Sequence, residues 1–96
     1  MKLFPPRSTF PNDASAEEMA AMADHATYMR ELIKQGVVLV AGPVREGEGS
    51  WGVGIAQSET QATLQSLCEN DPVILAQLGF QWELSPMGSL LRKEAV

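Results

Sequence analysis

The chain has 96 residues, 45% of them hydrophobic, and seven Lys and Arg stand against twelve Asp and Glu for a net charge of −5. This length allows one domain with a thin core, and the acidic balance lacks the basic footprint that phosphate-backbone binding requires, so nucleic acid is not an expected partner. One cysteine, Cys68, and one histidine, His25, exclude an internal disulfide and a four-ligand Cys/His zinc site, and no metal or other cofactor is expected.

Only Met1 to Phe4 precede Pro5-Pro6, and proline has no N–H for a ladder, so a first strand here must be short. The amino terminus lacks the apolar region of a signal peptide. No apolar run approaches the ~20 residues that span a bilayer, so no membrane partner is expected and a reducing, cytoplasmic setting is. The spacing then predicts a long helix from about Ala16 to Gln35, opened by Ser15 with Glu18 as a capping box and ended by Gly36. Met19, Met22, Ala23, Ala26, Met29 and Ile33 recur at three- and four-residue intervals as its apolar stripe.

Residues 37–41, Val-Val-Leu-Val-Ala, are apolar at every position and rich in β-branched side chains, which predicts a strand buried on both faces and stopped by Gly42-Pro43. Glu46 to Gly49 reads as a hairpin loop. In the next strand Trp51, Val53 and Ile55 alternate with Gly52, Gly54 and Ala56, which places large side chains on one face and a closely packed neighbour on the other. Ser58 and Gln61 predict a second capping box, ahead of a short helix carrying Ala62, Leu64, Leu67 and Cys68. Asp71-Pro72 suits the N-cap and first position of one extra helical turn through Ala76. Phe80, Trp82 and Leu84 then alternate with Gln81, Glu83 and Ser85 as a last strand. Residues 1–96 form one domain in this reading, with a tail from about residue 85.

Asp24-His25-Ala26-Thr27-Tyr28, then Gly36, Val40-Ala41-Gly42-Pro43 and Asn70-Asp71-Pro72-Val73 occur in an order that resembles the YCII-related domain. The likeness extends to residues 5–11, 51–54 and 85–87. It implies an α+β, ferredoxin-like βαββαβ fold with a four-stranded antiparallel sheet, helices on one face, and a homodimer formed through the sheet as a dimeric α/β barrel. It also implies a pocket in which a helical His meets an Asp, which here are His25 and Asp71. Lyase or isomerase chemistry has been suggested for some members of the family.

Each functional reading stands beside a structural one. Imidazole titrates near neutrality, and a carboxylate on one ring nitrogen fixes the tautomer and leaves the other nitrogen to move a proton. His25 as a packed helix residue and Asp71 as a simple cap is the alternative. Tyr28, three residues on from His25, is positioned to donate to a bound oxyanion or to edge the core. Arg7 is a counter-ion for an anionic substrate or a surface arginine. Trp51, Trp82 and Pro43 line a pocket or pack against core and partner. Gly47, Gly49, Gly52 and Gly54 lead into a strand without a following Lys-Ser/Thr pair, so they are not a phosphate loop.

The expected function is an enzyme that uses His25 and Asp71 as an acid/base pair on a small organic molecule, anionic or aromatic. The alternatives are a non-catalytic binding or sensing module and a structural dimerisation domain.

Overall fold

The computed structural model describes residues 1–91. A short strand, β1 (Lys2–Phe4), precedes the long helix α1 (Ala16–Lys34). The predicted capping box opens α1. The Ser15 hydroxyl accepts the Glu18 N–H at 3.1 Å, and Glu18 Oε1 accepts the Ser15 N–H at 2.7 Å. At the other end Gly36 takes a φ of 80°, and the Gly36 and Val37 N–H groups turn back onto the Ile33 and Leu32 carbonyls. That pairing satisfies carbonyls the helix would otherwise leave bare and turns the chain into the next strand.

The remaining elements are β2 (Val38–Glu46), β3 (Gly49–Ala56), α2 (Gln61–Glu69), α3 (Pro72–Leu75) and β4 (Gln81–Glu83). The four strands are antiparallel in the spatial order β2-β3-β1-β4. This is the expected ferredoxin-like α+β arrangement, with α3 as one added turn. β1 is central although only three residues long, so Pro5 and Pro6 fall just beyond the sheet, where no ladder bond is required of them.

Two expectations about local structure need correction. Gly42-Pro43 does not stop β2: Pro43 pairs with Gly52 and the strand runs on to Glu46. β2 lies at the sheet edge, the one place where a residue without an N–H is tolerated inside a strand. The cap of α2 is Thr60, not Ser58. The Thr60 hydroxyl accepts the Thr63 N–H at 3.2 Å, and the helix starts at Gln61.

Paired residues share a face, so Leu3, Gly52 and Trp82 point together toward the helices. A methyl at Gly52 would stand 3.4 Å from the Leu3 Cβ, and one at Gly54 3.1 Å from Met1 Cγ. The small face of β3 is therefore the one packed closely, as its alternation predicts. Leu3, Phe10, Ala21, Val73 and Phe80 form one core cluster, and Met29, Leu32 and Val38 form another. On the opposite face lie Lys2, Phe4, Val40, Trp51, Val53 and Ile55, with Val40 60% exposed. Within the single chain β2 is thus not buried on both faces.

The buried side of α1 also differs from the predicted stripe. Met19 and Ile33 face solvent, whereas Glu18, Ala21, Met29 and Leu32 are buried and His25 is partly so. The reason is that two polar residues find partners from distant segments. Both Glu18 oxygens accept Arg7 guanidinium N–H groups, at 2.7 and 2.8 Å. Arg7 and the Ser15 N–H hold the Glu18 carboxyl down to about 2, from an ordinary 4.5. Because the folded value lies below the unfolded one, this stabilisation is present above about pH 4.5 and fades as pH falls toward 2. Urea midpoints of the parent and Glu18→Gln are expected to differ most near neutrality and to converge across that window. A gap independent of pH would refute the assignment.

Candidate functional site

α1 presents His25, the turn before α3 presents Asp71, and β4 presents Trp82. The three meet although 46 residues separate the first two. Asp71 is the N-cap of α3: its Oδ1 accepts the Val73 N–H at 3.0 Å, and Pro72 fills the first helical position, which needs no donor. Capping uses one carboxylate oxygen and leaves the other free for the site. Oδ2 lies 2.7 Å from His25 Nδ1 and accepts the Trp82 indole N–H at 3.0 Å.

Asp71 is fully buried, and the His25 side chain is 13% exposed. The indole and the backbone amide can only donate, so a carboxylate here presents acceptors throughout, and the neutral tautomer of His25 that fits it has its hydrogen on Nδ1 and its lone pair on Nε2. The imidazole also packs against the indole, with ring centroids 6.0 Å apart and planes tilted by 48°. The ring is thus fixed at one edge and partly shielded from water, which is the arrangement that proton transfer by imidazole requires.

Tyr28 lies one turn further along α1 and donates its hydroxyl hydrogen to the Leu67 carbonyl at 2.7 Å, which ties α2 to α1. Burial first, and then the Asp71 charge, raise its pKa above the ordinary phenol range. Its hydrogen is already committed to backbone, which explains its position without a bound oxyanion. Cys68, on the buried side of α2, has its thiol pushed up to about 11 by burial and by the Asp71 charge. A thiol so protonated is a poor nucleophile.

The other predicted binding residues lie apart from this group. Arg7, read as a counter-ion or a surface arginine, is held within the chain: Glu18 takes it through two hydrogen bonds, and Asp13 pairs with its Nε at 3.0 Å. It forms a clasp between the segment after β1 and the start of α1. Trp51 lies on the open sheet face, stacked on Phe4 at 6.3 Å with the Lys2 ammonium over its ring. Pro43 is exposed on edge strand β2. The β3 register turns Trp51 away from the helices, and Pro43 sits on β2, at the sheet edge opposite β4.

Sequence reasoning did not identify Trp82 as a partner of Asp71. The alternation of Phe80, Trp82 and Leu84 does place Trp82 on the inner face, but no spacing indicates that its N–H meets a carboxylate eleven residues away. An open cleft of about 480 Å³ between α2 and β4 adjoins the same indole. Among the described residues no three His, Cys, Asp or Glu side chains gather as metal ligands would, and no helix is long and apolar enough to cross a membrane.

A family model described as the YCII-related domain matches residues 7–88. No curated protein and no solved structure matches the chain.

Proposed function

The chain belongs to the YCII-related domain family, and from that premise we propose that it is an enzyme in which His25 and Asp71 act as an acid/base pair on a small organic molecule. The observation that carries this reading is the 2.7 Å contact between His25 Nδ1 and a carboxylate with no solvent exposure. Asp71 holds the Nδ1–H, so Nε2 removes a proton from the substrate, and the imidazolium that forms is stabilised by the buried negative charge. Return of that proton to a different atom gives isomerisation. Departure of a leaving group from the neighbouring atom gives elimination.

A thermal-shift screen of small aromatic and carboxylic compounds, followed by product analysis of each hit, tests the reading. At least one ligand of the parent is expected to be converted by the parent and left unchanged by His25→Ala. Conversion at equal rates by the two proteins would end the proposal.

A homodimer through the open sheet face is part of the same reading. Val40 at 60% and Phe4 at 37% exposure leave a sheet surface that is apolar and uncovered in one chain. Burial of such a patch against a second copy is favourable in proportion to the apolar area removed from water. Sedimentation of the parent as a dimer and of Val40→Lys as a folded monomer is the expected result; a monomeric parent at micromolar concentration would contradict it.

A further inference from the structure

We propose that the cleft between α2 and β4 is a subsite for an uncharged planar molecule bearing hydrogen-bonding groups, and that Trp82 links it to the His25–Asp71 pair. The proposal rests on the acid/base reading only in making this subsite the neighbour of reacting groups. At about 480 Å³ the cleft falls within the size of small-molecule sites. Its wall combines apolar surface from Trp82, Phe80 and Ile74 with the carboxamides of Gln61, Gln65 and Gln81. Aromatic surface accepts a flat ring, and carboxamides both donate and accept, so they match amide, carbonyl or hydroxyl groups in either sense.

Charge narrows the class further. Glu69 is the one charged residue on the cleft wall among the described residues, and the Asp71 carboxylate lies beside the indole that forms part of it. Among the described residues no lysine or arginine contributes to the wall, and Arg7, the expected counter-ion, is bound by Glu18 and Asp13. An anion placed here would have the Glu69 carboxylate on the wall and the Asp71 carboxylate behind the indole, with no cation among the described residues of the wall to offset them. The anionic substrate expected from Arg7 is therefore replaced by a neutral one. Trp82 belongs to both places: its ring lines the cleft, and its N–H shares Asp71 Oδ2 with His25. It is a positioning residue, because it acts on the imidazole through Asp71.

Benzamide and benzoate have nearly the same shape and differ in charge, so they are the probes. In Trp51→Phe, Trp82 is the sole tryptophan. Benzamide is expected to change its emission saturably and to shift the side-chain amide NMR signals of Gln61, Gln65 and Gln81, with benzoate weaker by about tenfold or more. Binding of benzoate as tight as that of benzamide, or no shift of those signals, would overturn the proposal. His25→Ala in the same background is expected to keep benzamide binding, since His25 does not line the cleft. Retained cleft binding in a protein that converts no substrate would refute the acid/base reading alone. Conversion of a substrate by a protein whose cleft binds neither probe would refute this inference alone.

Discussion

His25→Ala is expected to lower turnover of a converted substrate by about 10²–10⁴-fold, the usual contribution of a positioned acid/base group. The protein should still fold. Loss of the ring removes one of three hydrogen bonds to Asp71, whose Oδ1 keeps the Val73 N–H and whose Oδ2 keeps the Trp82 N–H. A buried carboxylate that retains two donors is not stranded, so the stability loss should stay near the ~1.5–3 kcal/mol of one hydrogen bond to a charged group. Steady-state kinetics and urea denaturation on the same preparation check both parts. A collapse in stability that accounts for the lost activity would show that His25 is there to pack.

Asp71→Ala should have the opposite balance, with a loss of about 3–5 kcal/mol in stability added to the loss of turnover. Three donors converge on this one fully buried side chain, and its removal leaves the Val73 amide, the Trp82 indole and the His25 ring without their acceptor. The N-cap of α3 disappears in the same step. Asp71→Asn does not repair the site. If its oxygen serves Val73, its NH₂ faces the indole N–H; if its oxygen serves Trp82 and His25, its NH₂ faces the Val73 N–H.

Asp71→Asn should therefore fall between parent and Asp71→Ala in stability and convert substrate no better than His25→Ala. Denaturation midpoints and turnover of the three variants decide this. Equal stability of parent and Asp71→Asn would show that the carboxylate charge is not engaged as described. The effects of His25→Ala and Asp71→Ala on turnover are expected to be non-additive, because each removes the same two-residue unit.

Much of the architecture is legible in the sequence. Ser15 with Glu18, Gly36 after the helix, Asp71-Pro72 before α3, and the alternations of β3 and β4 are signals in which each residue and its partner lie within a few positions. Apart from the α2 cap, which falls two residues on at Thr60, the readings that failed were decided by a distant segment. Pro43 stays within β2 because that strand is the sheet edge. The buried face of α1 is shifted because Arg7 and Asp71 draw Glu18 and His25 inward. His25 and Asp71 entered together through the family resemblance and not through their spacing.

By itself the sequence determined the element order, most helix ends, the inner face of β4 and the net acidic charge. These follow from backbone hydrogen bonding, side-chain periodicity and composition, which act locally or by simple summation. Only the tertiary structure decided that the Asp71 oxygen unused by the cap accepts from both His25 and Trp82, that Arg7 is consumed by Glu18 and Asp13, and that Trp51 turns away from the helices. A hydrogen bond forms at about 3 Å between groups whose separation along the chain carries no such constraint. Which donor reaches which acceptor is settled when strands and helices pack, and the chemistry available to His25 is settled with it.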